Sequence, residues 1–252
     1  MPKLDFSTQA NQLINCPVVA YHNFTEEVEG DMFATSTAAK FEQDMTALLN
    51  DGYTPISLKQ RYDCINERAE WPDKPFVCTM DDGYESNFTL AYPICKRLGV
   101  HTDIFIVTDT MGARPKDGVV GTPHFTWQEA KIMEDSGFAT MQPHGKMHDN
   151  TAIMSPDELH EQVFGCIADI EEHLGKRAFT SYAFPGGHGP VYIYENFTLL
   201  HKWGIDQQCM NFWCVEPKYL PFNLIVRFVV GQDECILENL ATYQQGLQER
   251  LL

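Results

Sequence analysis

The chain has 252 residues, 44% hydrophobic and 21% charged, which is too apolar for a disordered chain and long enough to bury a core without metal or disulfide staples. Eighteen Lys and Arg against thirty-five Asp and Glu give a net charge of −17. That argues against a general nucleic-acid binder, which must neutralise phosphates, and suits a neutral or cationic ligand.

In chain order, the first element is the apolar run Pro17–Tyr21, a predicted strand that closes on His22 and Asn23. Phe41, Met45, Leu48 and Leu49 mark a helix ending near Gly52. Phe76–Met80 is a second strand and runs into Asp81, Asp82, Gly83 and Tyr84. A helix is expected over 85–98, closed by Gly99. Thr102–Val107 reads as a strand, and Thr126 with Glu129 forms a capping box for a helix ending at Gly137. The strand Phe138–Met141 leads into Gln142-Pro143-His144-Gly145-Lys146-Met147-His148. Ser155, Pro156 and Glu158 open another helix, whose apolar face is Leu159, Val163, Ile167, Ile170 and Leu174 and whose stop is Gly175. Strands follow at Phe179–Phe184 and Leu224–Val230, and a last helix carries Leu237, Leu240, Tyr243, Leu247 and Leu251.

Alternating strands and helices imply a parallel sheet or an α/β barrel, with chemistry at the carboxyl ends of the strands. No repeat or composition break divides the chain, so residues 1–252 read as a single domain. No apolar run nears the roughly 20 residues of a membrane span. Met1–Asn15 lacks a basic-then-apolar pattern, so the chain as it stands reads as cytoplasmic, or as exported or surface-bound if supplied without its signal. The eight cysteines form no C-x-x-C pair and are read as reduced structural thiols, with one or more disulfides as the alternative.

The strand ends carry the candidate chemistry. Two carboxylates at a buried strand end need a cation or hydrogen bonds to offset their repulsion, and strand alternation sends Asp81 and Asp82 to different tasks. The bland reading is a surface Asp-Asp-Gly turn. His144 and His148, four residues apart just past a strand, can meet one metal ion. One Asp and two His make a three-ligand site with open positions, the catalytic rather than the structural type. Gly186, in Phe184-Pro185-Gly186-Gly187, is a candidate backbone oxyanion donor or simply part of a turn. His22, closing the first strand, reads on its own as a hydrogen-bonded structural histidine before it reads as a functional one.

Taken in order, Asp81-Asp82-Gly83, His144-x-x-x-His148 and Phe184-Pro185-Gly186-Gly187 resemble the polysaccharide deacetylases, carbohydrate esterase family 4, with the nodulation-factor-deacetylase homology domain. Val18-Val19-Ala20-Tyr21-His22, Gly52-Tyr53-x-x-Ile56-Ser57 and Phe125-Thr126-Trp127 resemble the branch of biofilm poly-N-acetylglucosamine deacetylases. The resemblance spans roughly residues 16–235. It implies a distorted (β/α) barrel with fewer than eight strands and one divalent metal, zinc foremost, with cobalt or nickel as alternatives. By position it implies Asp82, His144 and His148 as metal ligands and Asp81 as general base. Through the circular permutation of this branch it implies His22 as general acid. The chain departs from the family pattern at Met80, Pro143, Gly145 and Ala183, and Arg227 is a candidate cation for orienting Asp81 that reads equally as part of a surface or core salt bridge. Tyr84 is the aromatic tied by position to the site, while Trp71, Trp127, Trp203 and Trp213 are sugar-platform candidates that read equally as core.

The expected activity is metal-dependent hydrolysis of an amide C–N bond, most of all N-deacetylation of an N-acetylated sugar. The alternatives are a deacylase or deformylase of a small intracellular amide, a non-catalytic carbohydrate-binding relative, and a non-haem iron oxygenase, whose usual all-β scaffold and His-x-Asp pair this chain lacks.

Overall fold

The computed structural model describes residues 12, 14–28, 34–114, 121–186, 194–211, 224–232 and 235–251. Its strands are β1 (Val18–Tyr21), β2 (Asn23–Thr25), β3 (Thr35–Thr37), β4 (Thr54–Pro55), β5 (Pro75–Asp82), β6 (Thr102–Ile106), β7 (Ala139–Pro143), β8 (Ser181–Ala183), β9 (Gln207–Asn211) and β10 (Leu224–Val229). The α-helices are α1 (Ala38–Asn50), α2 (Leu58–Ile65), α3 (Tyr92–Leu98), α4 (Trp127–Asp135), α5 (Pro156–Leu174), α6 (Tyr194–Lys202) and α7 (Ile236–Leu251).

Seven strands pair in the order β7-β6-β5-β1-β10-β9-β8, every pair parallel, with β4 added beside β5. The result is a nearly closed parallel barrel with helices around it, as expected of a (β/α) barrel with fewer than eight strands. At the seam between β7 and β8 side chains do the stitching. Gln142 Oε1 accepts from the Ser181 amide at 2.9 Å, and His144 Nδ1 lies 2.9 Å from the Ala183 carbonyl oxygen.

Strand alternation sorts β5 between two cores. Phe76, Cys78 and Met80 pack outward with Phe41, Met45 and Leu48 of α1, while Val77 packs inward with Phe105, Ala183, Cys209 and Ile225. Leu58 and Tyr62 of α2 join the inner cluster. The capping boxes at Thr126 and Ser155 form as the sequence implies. So does a third at Ser57 and Gln60, which starts the short α2.

The segment expected as one helix over 85–98 departs from that form. Asn87–Ala91 is a π-turn, and α3 begins only at Tyr92. Pro93 has no N–H to give to the carbonyl four residues back, so the chain widens before the α-helix continues. The cysteines at 16, 64, 78, 95, 166, 209 and 235 are free, and all but Cys235 are buried. Cys214 lies outside the described residues. No helix among the described residues is long and apolar enough to cross a membrane.

Candidate active site

Register brings the site together. Asp82 pairs with Ile106, and Ile106 with Pro143, so His144 begins beside Asp82 at the carboxyl edge of three adjacent strands. Two residues there take left-handed backbone, Asp82 at φ 72° and His148 at φ 61°. Such backbone costs an L-residue about 1–2 kcal/mol and marks functional sites when it clusters. Alternation would send Asp82 out toward the helices. The turn at φ 72° instead leaves its carboxylate with the two imidazoles.

Asp82 Oδ1 lies 3.1 Å from His148 Nε2 and 3.5 Å from His144 Nε2. One ligand atom from each residue falls within 4.8 Å of the others. Asp82 Oδ1 is nevertheless buried with no hydrogen-bond partner, so the donor atoms converge on a point rather than on one another. His144 Nδ1 lies 2.9 Å from the Ala183 carbonyl oxygen, which orients the ring with Nε2 toward Asp82. A divalent cation fits this two-nitrogen, one-oxygen set, with further positions left for water and substrate. Burial alone would raise the Asp82 pKa, but the flanking imidazoles hold it well below the usual carboxylate range.

Asp81 points into the barrel. Arg227 Nη1 and Nη2 donate to its two oxygens at 2.6 and 2.7 Å, and Nη2 also reaches Asn211 Oδ1 at 3.2 Å. The Phe105 ring lies 5.1 Å from the guanidinium carbon. Burial would raise the Asp81 pKa too, but Arg227 and the neighbouring imidazoles outweigh it and keep the carboxyl ionised. His22, between β1 and β2, holds Nε2 3.6 Å from Asp81 Oδ2. Its burial lowers the imidazole pKa against the pull of Asp81 and Asp82. Arg227 is therefore the cation beside Asp81.

Tyr84 stands at the rim, half-buried, with its phenol pKa raised by burial and by the Asp82 carboxylate. Gly186 is exposed at the turn after β8, while Gly187 and His188 lie outside the described residues. Of the tryptophans, Trp127 stacks on His173 at 4.1 Å and Trp203 packs on His160 and Phe164, so both have structural partners. Trp71 is partly exposed, and Trp213 lies outside the described residues. Sequence reasoning missed His124, whose ring lies 5.0 Å from that of Tyr84 at a 40° tilt and which bridges to it in antiparallel pairing. It also missed Asn211, whose strand Gln207–Asn211 is too polar to stand out as an apolar run.

The sequence pattern of the family described as Polysaccharide deacetylase matches residues 68–206, more than half of the chain. The poly-beta-1,6-N-acetyl-D-glucosamine N-deacetylase of Escherichia coli K12 is 25% identical over 133 residues, half of this chain and 20% of that protein. Among solved structures, the Streptococcus pyogenes deacetylase PplD in complex with acetate superposes with a TM-score of 0.73 at 16% identity, covering 94% of this chain and 98% of that one. IcaB from Ammonifex degensii gives a TM-score of 0.72 at 21% identity, with 91% and 97% covered. These likenesses establish the barrel, and the sequence match over 68–206 establishes the lineage: the chain belongs to the polysaccharide deacetylase family.

Proposed function

We propose that this chain is one catalytic domain that removes acetyl groups from an N-acetylated carbohydrate by hydrolysing the amide C–N bond, with a divalent cation, zinc foremost, held by Asp82, His144 and His148. The observation that carries the reading is the orphaned Asp82 Oδ1 between two imidazole nitrogens, beside an ionised Asp81 locked by Arg227. A cation in that set would supply Lewis acidity, making water more acidic and drawing electrons from the amide carbonyl.

The chain's own residues do the rest. Asp81 accepts the proton of the attacking water, and Arg227, donating to both of its oxygens, fixes the orientation of the carboxylate. The Gly186 N–H, within the Phe184-Pro185-Gly186-Gly187 segment, serves the developing oxyanion. The 3.6 Å between Asp81 Oδ2 and His22 Nε2 is short enough, after a small approach, for a proton to pass between them. His22, neutral at rest, then gives that proton to the departing nitrogen, because an amine anion is a poor leaving group. Water and the N-acetyl amide become acetate and a free amine. Tyr84 flanks the sugar at the rim. The acidic surface suits a product that becomes cationic.

Two variants test the reading. His144→Ala should lose the one equivalent of zinc or cobalt that the unaltered protein takes up. Asp81→Asn should keep that metal while acetate release from N-acetylglucosamine oligomers falls by about 10²-fold or more. Acetate release from monomeric N-acetyl compounds alone would move the substrate to a small amide. Failure of the unaltered protein to bind zinc, cobalt or nickel would remove the hydrolytic mechanism and leave a carbohydrate-binding relative.

A further inference from the structure

His144 and His148 sit on a loop, and a loop needs something rigid to hold two imidazoles in one geometry. Lys146, midway between them, makes contacts that no chemistry at the proposed metal requires. Its amide donates to Gln162 Oε1 at 3.1 Å, as does that of Met147 at 3.2 Å. Its ammonium reaches Asp169 Oδ2 at 2.8 Å and Asp109 Oδ1 at 3.3 Å. Asp169 is fixed in turn by Thr108 Oγ1 at 2.7 Å. Gln162, Gly165 and Asp169 are i, i+3 and i+7 on α5, one stripe along one face.

Gly165 completes the pattern. It lies inside a nineteen-residue helix, where glycine is unfavourable, and its φ is not in the left-handed region. A Cβ built there would lie 2.7 Å from Lys146 Cδ. The glycine leaves a track for the lysine stem between the anchor at Gln162 and the anion at Asp169.

We infer that Lys146 is a positioning residue that clamps the His144–His148 loop to α5, with Gly165 as the cradle for its stem and Asp169 as its catch. This rests on the metal reading above, because the loop's rigidity matters through the ligands it presents. The clamp has a sign that simple electrostatics does not share. Removing a cation two residues from each imidazole should, by Coulomb's law alone, tighten binding of a divalent ion. Releasing the loop should loosen it.

The test uses the full chain and cobalt(II), titrated against a chromophoric chelator, in the unaltered protein, Lys146→Met, Asp169→Asn and Gly165→Ala. Hydrogen exchange of the 145–148 amides is followed without metal. Cobalt affinity is expected to fall about 10-fold in Lys146→Met and Gly165→Ala, with exchange at 145–148 faster and the thermal midpoint little changed. Gly165→Ala adds no charge and favours the helix, so a loss there comes from the displaced lysine. Equal or tighter cobalt binding in Lys146→Met, with unchanged exchange, overturns the clamp. Wild-type affinity in Gly165→Ala alone overturns the cradle. Should the unaltered protein bind no cobalt, the metal reading fails, and the exchange rates still decide whether Lys146 holds the loop.

Discussion

Arg227 on β10 reaches across β1 to grip Asp81 on β5, each terminal guanidinium nitrogen on its own carboxylate oxygen at 2.6 and 2.7 Å, with the side chains 0% and 2% exposed. A buried pair of this kind costs desolvation on both sides, so its value lies in what happens when one partner is missing.

Arg227→Met should therefore destabilise the fold by about 3–5 kcal/mol, because Asp81 is left buried without its cation. The double variant Arg227→Met with Asp81→Leu should recover much of that loss, since an apolar pair needs no compensation. Urea unfolding of the four proteins in the cycle reads both numbers. Additive losses in the double variant would show that the two side chains are not coupled.

Much of this site can be seen in the sequence because its parts lie at strand ends, and strand ends announce themselves. The run Phe76–Met80 places Asp81 and Asp82, and Met141 places His144. Alternation then explains why Asp81 enters the barrel. It does not explain Asp82, whose φ of 72° overrides the pleat, and backbone handedness leaves little trace in a non-glycine residue. Arg227 stands out only as a cation in an apolar strand, and its target is set by pairing between elements far apart in sequence. The strand Gln207–Asn211 is illegible for a related reason. Gln208 and Asn211 face the Phe197 carbonyl and Arg227, so hydrogen bonds stand in for part of the apolar pattern that marks a buried strand.

Gly83 is confined by two independent demands. Its φ is 77°, and a Cβ there would lie 3.2 Å from Ile106 Cγ2 in the neighbouring strand. Gly83→Ala should cost about 1–2 kcal/mol for the left-handed backbone alone. The crowding should also shift Asp82, one residue earlier. The prediction is a lowered urea midpoint together with weaker cobalt binding. A variant that loses stability but binds cobalt as before would place the strain away from the ligand set.

Gln142 closes the barrel where main-chain pairing between β7 and β8 gives out. Its Oε1 accepts from the Ser181 amide at 2.9 Å, and its Nε2 donates to Asp103 Oδ1 at 3.2 Å, all of them buried. Gln142→Leu keeps most of the volume but leaves a buried N–H without an acceptor, worth about 1–3 kcal/mol. The seam should open first, so hydrogen exchange at 181–183 should accelerate more than exchange in β5. Uniform acceleration through both strands would instead mean that the barrel unfolds as a whole and that Gln142 has no local role.

Asp169 gives the loop clamp a defined response to acid. Burial would raise its pKa, but the hydrogen bonds from Lys146 and Thr108 outweigh burial and hold it below the usual value. A carboxyl whose folded pKa lies under its unfolded value of about 3.9 contributes stability that is complete above that value. The contribution is lost as pH falls through the lower, folded pKa, because the unfolded chain then takes up the proton first. The difference in unfolding free energy between the unaltered protein and Asp169→Asn should thus be flat from about pH 6 to 9 and begin to shrink below about pH 4. Urea midpoints across that range measure it. A difference that grows as the solution is acidified would mean that Asp169 is not held ionised by Lys146 and Thr108, and that the loop's link to α5 depends on shape rather than on charge.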